Sequence, residues 1–363
     1  MLFSEKPKTR LEDFFNRRDE LKQFSTLVER SPVVVKGVRR IGKSSLIRVG
    51  LSLLEQPYIY LDLRGTAINK KISIRTIFEL LTLSASETSS KSSRFVQTVK
   101  DVVREVSIAS VFTVKLAQER TRNLLLELFR RLDKAAKAHA HKLVIVFDEA
   151  QTLRFATLDM RELLANVYDN MENITLVFAG SQIGVLKEFI GVEDPYSPFY
   201  GRYMAEVELK PFSRELSLEF LKQGFTELSL KPDERFLEKA VDELDGIVGW
   251  LTFFGLKVAE RRRFSEKTIE EVLDIAATLE RKEIEALPKS QKLVLSALSR
   301  LDNPRWSDIK RMSDSFAERK LNDTEVNRAL KSLIRYSFIE KKGESYAITD
   351  PITKKAAVDL TPD

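Results

Sequence analysis

Directly after the short apolar run Val33 to Val35 stands Gly37-Val38-Arg39-Arg40-Ile41-Gly42-Lys43-Ser44, and from Ser45 the sequence continues with helical spacing. This GxxxxGKS pattern constrains the fold more than any other feature of the chain, because its chemistry needs a strand, a tight loop and a helix in that order. The glycines let backbone N–H groups wrap around phosphate oxygens, and the helix N-terminus adds the positive end of its dipole. Lys43 supplies a charge to the β- and γ-phosphates, and Ser44 offers a hydroxyl to Mg²⁺. Residues Gly37 to Ser45 are therefore expected to hold ATP or ADP.

Four more apolar runs of strand length follow, at Tyr58 to Leu63, Leu143 to Phe147, Ile174 to Ala179 and Ala205 to Leu209, with helically spaced segments between them. Near-continuous apolar strands alternating with helices describe a mainly parallel sheet covered on both faces. The expected fold class is α/β, a P-loop NTPase sheet of the AAA/ASCE type, over residues 1–212. Between the second and third strands the Ser/Thr-rich stretch Ser84 to Ser93 reads as a loop, and Val96, Val99, Val103 and Val106 then recur at helical spacing, so an insertion is expected there. After Pro211 the strands stop. Leu216 to Phe225, Pro232 to Leu244 and Leu251 to Arg263 predict amphipathic helices, a helical lid over residues 213–282. From Pro288 the pattern changes to three helices, the last being Thr324 to Tyr336, followed by a hairpin whose turn contains Gly343. That is a winged helix over residues 283–363.

Two carboxylates, Asp148 and Glu149, end the third apolar run, at the sheet edge where open α/β folds bind ligands. Asp148 is expected to hold the Mg²⁺ shell together with Ser44, and Glu149 to polarise an attacking water. The fourth run delivers Gly180-Ser181-Gln182 to the same edge. Ser181 or Gln182 either positions the lytic water or only caps the following helix. Arg202, in a Pro/Gly loop before the fifth strand, is either an arginine finger for its own or a neighbouring γ-phosphate, or a surface ion-pairing residue.

These motifs resemble the archaeal ATPase family, a branch of the STAND and AAA-like P-loop NTPases related to replication initiators of the Orc1/Cdc6 type. The resemblance rests on Phe14-Phe15-Asn16-Arg17-Arg18-Asp19-Glu20-Leu21 (FxxRxxEL), the loop Gly37 to Ser44, Asp148-Glu149, Gly180-Ser181, the stretch Ser197 to Arg202, and Pro211-Phe212. Together they span most of residues 11 to 212. The resemblance implies that Phe14, Phe15 and Arg17 lie beside the adenine. Tyr346 to Pro351 is similar to the family's winged-helix terminus, and the nuclease-like domain that some members carry there is expected to be absent. One departure stands out. Where relatives open a lid helix with GxP, this chain reads Gly246-Ile247-Val248-Gly249-Trp250, with Gly249 for proline and no arginine at the helix start.

The chain's 60 Lys and Arg against 54 Asp and Glu give a net charge of +6, which permits nucleic-acid contact without requiring it. On the third winged-helix helix Asn327, Arg328, Lys331 and Arg335 lie opposite Val326, Leu330, Leu333 and Ile334, so a basic face is available to duplex DNA, with Lys341 and Lys342 of the hairpin set for phosphates. A protein partner or self-association is the alternative use of the same module. Zero cysteines and two histidines argue against disulfides and zinc. No apolar run approaches membrane-spanning length and Met1 to Arg10 lacks a signal-peptide apolar region, so a cytoplasmic protein without a membrane partner is expected. The sequence thus predicts an ATPase acting as a nucleotide switch on a winged helix, with a DNA-binding regulator holding nucleotide as a static ligand as the alternative. A phosphoryl transferase is a third reading, for which no second-substrate base stands out.

Overall fold

A computed structural model describes residues 1–66, 71–87, 93–113, 118–317, 319–358 and 360. Helix α1 (Arg18–Val28) precedes β1 (Val33–Lys36), α2 (Lys43–Leu53) and β2 (Tyr58–Asp62). The helices α3 (Ile74–Glu87), α4 (Ser93–Thr113) and α5 (Gln118–Ala138) then lead to β3 (Leu143–Asp148), α6 (Met160–Asn170), β4 (Ile174–Gly180), α7 (Ile183–Ile190) and β5 (Ala205–Glu208). Among the described residues these five strands form one parallel sheet in the order β2, β3, β4, β1, β5. Strand β4 therefore lies between the glycine-rich loop on β1 and the acidic pair on β3.

Alternation along the strands divides two cores. Val33, Val35, Val144, Val146 and Val177 face α1 and α2, packing on Phe24, Leu46 and Ile47. Val34, Ile145, Phe147, Leu176 and Phe178 face the other way, onto α3 to α7. Burial on both sides explains why β3 and β4 read as unbroken apolar runs. Edge strand β5 alternates buried Ala205 and Val207 with exposed Glu206 and Glu208, and Glu206 pairs with Lys36.

The expected insertion is helical. Val96, Val99, Val103 and Val106 are buried on α4 as their spacing predicts. The expected loop at Ser84 to Ser93 is corrected in part, because α3 continues through Ser84 to Glu87 and Ser84 turns its hydroxyl inward; residues 88–92 lie outside the described residues. Ser and Thr inside a helix are tolerated when the hydroxyl finds a partner.

After the sheet come α8 (Arg214–Glu227), α9 (Glu234–Leu244), α10 (Val248–Arg261), α11 (Glu266–Glu285), α12 (Lys289–Ser299), α13 (Trp306–Phe316), α14 (Asp323–Arg335), the antiparallel hairpin β6 (Ile339–Lys342) and β7 (Ser345–Ile348), and α15 (Pro351–Val358). Side-chain caps mark the helix starts: Ser213 on α8, Asp233 on α9, Ser265 on α11, and an Asn322/Glu325 capping box on α14. Helix α11 runs through the expected boundary at residue 282. One continuous apolar core joins the helical region to the winged helix, with Trp250, Phe254, Leu293 and Leu330 all in it. The same core receives Phe3 from the far N-terminus. Its ring fills a slot in which a Cβ on Gly224 or Gly255 would come within 2.3 and 2.4 Å of it. Among the described residues no helix is long and apolar enough to cross a membrane.

Candidate functional site

The loop between β1 and α2 owes its shape to two glycines. Gly42 sits at φ +100° as the residue before α2, and Gly37 passes so close to β5 that a Cβ would meet the Leu209 carbonyl oxygen at 2.7 Å. The loop opens onto a cavity of about 810 Å³, ample for a nucleotide, lined by Arg39 through Ser45, by Asp148 and Glu149 and by Phe14, Phe15 and Arg17. The three regions that the sequence singled out separately therefore converge. Gly37 and Val38 lie behind this wall, where their carbonyls accept hydrogen bonds from the Lys43 ammonium at 2.8 and 2.9 Å.

Lys43 is buried, and burial pushes its pKa down against the raising influence of Glu149 and Asp148. A buried ammonium whose hydrogen bonds go to neutral carbonyls gains from an anion brought to the loop. With the α2 N-terminus beside it, the chemistry fits a polyphosphate. Next in the chain, the Ser44 hydroxyl donates to Asp148 Oδ2 at 2.7 Å, and the backbone N–H of Glu149 donates to Asp148 Oδ1 at 3.0 Å. Hydroxyl and carboxylate oxygens at a phosphate site are the hard donors Mg²⁺ prefers. Among the described residues no group of three or more His, Cys, Asp or Glu could hold a metal ion, as suits an ion that completes its shell with phosphate and water. The residues present fit Mg²⁺.

Glu149 adopts a left-handed conformation, φ 55° and ψ 45°, uncommon for a residue with a Cβ. Its Oε2 accepts hydrogen bonds from the Gln151 amide at 2.5 Å and from the Ser181 hydroxyl at 2.8 Å. Ser181 thus reaches the site through Glu149 and does not line the cavity, whereas Gln182 lines it and makes no side-chain cap to α7. Ser45 is engaged from outside, its hydroxyl accepting the Lys8 N–H at 3.0 Å.

Elsewhere along the cavity wall, Phe15 packs edge-on against Phe212 and Phe220, and the Arg17 guanidinium lies 4.7 Å from the Phe212 ring centre while donating to the Lys210 carbonyl at 2.6 Å. Arg202 is not brought to this cavity. It forks onto Asp169 at 2.8 and 2.7 Å and also donates to the Pro198 carbonyl, an ion pair within its own chain.

Sequence reasoning missed several lining or supporting groups. The N-terminal segment around Pro7 and Lys8, Arg64 after β2, and Thr252 and Phe253 of α10 all face the cavity. Tyr60 of β2 donates its hydroxyl to Asp148 Oδ2 at 2.6 Å. Their only signal was position, on strand ends or lid turns next to recognised motifs.

On the winged helix Asn327, Arg328 and Lys331 are exposed, as are Lys341 and Lys342. Asn327 accepts the Trp306 indole N–H at 2.9 Å, and Lys342 pairs with Glu340. Arg335 departs from the expected DNA-facing set. It ion-pairs with Glu188 of α7, and its backbone is so close to α7 that a Cβ on Gly184 would lie 2.8 Å from its Cα.

The model of an ATPase domain predominantly from Archaea matches residues 14–254, and that of the C-terminal winged helix-turn-helix domain of MCM proteins matches residues 288–349. Among solved structures, the Walker-type ATPase PabY2304 of Pyrococcus abyssi is similar over 98% of this chain and 99% of its own, with 31% identity and a TM-score of 0.83. The Aeropyrum pernix ORC2 protein, solved as ADPNP–ADP complexes, shares the fold over 98% of this chain and 96% of its own, at 13% identity and a TM-score of 0.64. A comparison with curated proteins returns no match.

Proposed function

The chain belongs to a family of ATPase domains found predominantly in Archaea, and from that premise we propose that it binds Mg²⁺-ATP, hydrolyses it and uses the change of bound state to control its winged helix. Lys43 and the loop N–H groups hold the phosphates, Ser44 and Asp148 hold the metal, and Glu149 takes a proton from the attacking water once released from Gln151 and Ser181. The metal, when bound, supplies charge neutralisation at the phosphates. Arg202 is assigned no role at its own site.

The observation that carries the switch is the contact of the phosphate loop with both other parts of the chain. Arg40, in the middle of the loop at φ 60°, accepts the Gly249 N–H on its carbonyl at 2.8 Å and lies 4.0 Å from the Trp250 ring centre. Trp250 in turn donates its indole N–H to buried Asp350 at 2.9 Å, the residue that caps α15. Glu280, also buried, completes this group through Thr353. On the opposite side the Ile183 N–H, two residues from Ser181, donates to Ser337 at the end of α14 at 2.9 Å. The loop through Arg40, and the Ser181 that holds Glu149 through its neighbour Ile183, thus each reach the winged helix through one relay, which supports a two-state element biased by nucleotide.

Duplex DNA is the partner proposed for the exposed face carrying Asn327, Arg328, Lys331, Lys341 and Lys342. A regulator that keeps nucleotide as a static ligand is the second reading, favoured by the engagement of Glu149 with Gln151 and Ser181. The discriminating experiment is hydrolysis of [γ-³²P]ATP by wild type and Glu149→Gln, with and without duplex DNA. The switch reading expects turnover that DNA alters and that Glu149→Gln slows by about 10²–10⁴ with ATP affinity retained. Tight ATP binding with no hydrolysis under any condition favours the static ligand.

A further inference from the structure

Tyr60 is fixed from three directions. It sits opposite Val146 in the β2–β3 register, so it shares a sheet face with Asp148 two residues further on, a diagonal that a tyrosine side chain can span. Its backbone N–H, on the outer edge of β2, donates to the Ser84 hydroxyl at 2.6 Å, which pins the edge strand to α3. Its ring lies 4.0 Å from the guanidinium of Arg48, one turn after Ser44 on α2. From this frame the phenol donates to Asp148 Oδ2 at 2.6 Å, the same oxygen that accepts from Ser44 at 2.7 Å.

We propose that Tyr60 is a positioning residue for the Mg²⁺ site, holding the Asp148 carboxylate in the orientation that serves the metal and coupling that orientation to the phosphate-loop helix. The inference rests on the reading that Ser44 and Asp148 hold the ion. Two donors on Oδ2 and the Glu149 N–H on Oδ1 leave the carboxylate little freedom to rotate, and a ligand oriented in advance binds its ion more tightly. Ser44 alone would tie Asp148 Oδ2 only to the N-terminal turn of α2, beside the loop. Tyr60 provides a hold from the rigid sheet.

Tyr60→Phe keeps the ring, its packing under Arg48 and the backbone bond to Ser84, and removes only the hydroxyl. The test is binding of a fluorescent N-methylanthraniloyl-ADP to the full chain, first in EDTA and then in a Mg²⁺ titration, for wild type, Tyr60→Phe and Asp148→Asn. The proposal expects the same nucleotide affinity in EDTA for wild type and Tyr60→Phe, with the Mg²⁺ midpoint of Tyr60→Phe raised by about 10-fold or more, the usual effect of losing an outer-shell partner. A Tyr60→Phe midpoint within about twofold of wild type, while Asp148→Asn shifts it, overturns the role of Tyr60 and leaves the metal site standing. A parallel loss of EDTA affinity and thermal midpoint in Tyr60→Phe assigns it a merely structural part and also overturns the proposal. If Asp148→Asn itself leaves the Mg²⁺ dependence unchanged, the metal-site reading fails and the proposal with it.

Discussion

Gly249→Ala sets two physical effects against each other at the junction of loop and lid. In α10, alanine is favoured over glycine by up to about 1 kcal/mol, so helix propensity alone predicts stabilisation. The new Cβ, however, would stand 2.5 Å from Arg40 Cβ and 2.8 Å from the Arg40 carbonyl oxygen, against ordinary contacts of 3.4 Å or more. Relief requires loop and helix to part by most of an ångström, which costs about 1–3 kcal/mol as over-packing and breaks the Gly249 N–H to Arg40 bond of 2.8 Å, about 0.5–1.5 kcal/mol. The net is a destabilisation of roughly 2 kcal/mol. With an unfolding entropy of about 2.1 cal/mol/K per residue and 363 residues, about 0.76 kcal/mol/K in all, the thermal midpoint should fall by about 3 °C if the chain unfolds as one unit. Where the variant relieves the clash by swinging α10 away, the same free energy reappears as nucleotide binding weakened by up to about 30-fold. Differential scanning calorimetry and titration with N-methylanthraniloyl-ADP read the two forms of the cost. A variant more stable than wild type with unchanged affinity would refute the argument that the Arg40 to Gly249 contact, not helix propensity, governs this position.

Two further predictions follow from buried groups outside the loop. Phe3→Ala empties the slot between Gly224 and Gly255 and should destabilise by about 3–5 kcal/mol, seen as a lower urea midpoint, although Phe3 belongs to no recognised motif. Burial raises the pKa of Glu280 above its ordinary 4.5 and that of Asp350 above 3.8; Arg39 and Arg40 oppose the rise at Glu280, and Arg40 and the hydrogen bond from Trp250 oppose it at Asp350. Between the ordinary and the raised values the folded state binds more protons than the unfolded one, so these groups subtract stability as pH rises through that window. Urea denaturation of Glu280→Gln from pH 4 upward should show stability rising relative to wild type as pH increases, and a pH-independent difference would contradict this assignment.

The sheet was legible because burial on both faces writes itself as apolar runs, and each of the five runs became a parallel strand within a residue of its predicted ends. That the loop, Asp148 and Glu149 would meet at one cavity was legible because a strand–loop–helix pattern and an acidic strand end both deliver their residues to the same edge of the sheet. Ser84 to Glu87 misled because Ser and Thr favour loops on average, and only the three-dimensional position of Tyr60 explains a helical serine there. Tyr60, Trp250 and Asp350 carry no local signature. Their partners lie 88 and 100 residues away in the chain, so the pairing exists only after folding. Arg335 was read from its helix face, and that reading could not contain α7, which takes the residue for an ion pair. Helix α11 was overlooked because the sequence reading placed a boundary, rather than an element, at residue 282.

The central claim, that nucleotide at the loop is felt by the winged helix, is tested most directly by amide hydrogen exchange of wild type and Lys43→Ala with and without Mg²⁺-ADPNP. The account predicts that nucleotide changes protection at Ile183, at Gly249 and Trp250, and in the winged helix around Ser337 and Ile352 to Thr353, and that Lys43→Ala abolishes all of these changes together. Tight nucleotide binding to wild type with altered protection in the loop but none in the winged helix would contradict it.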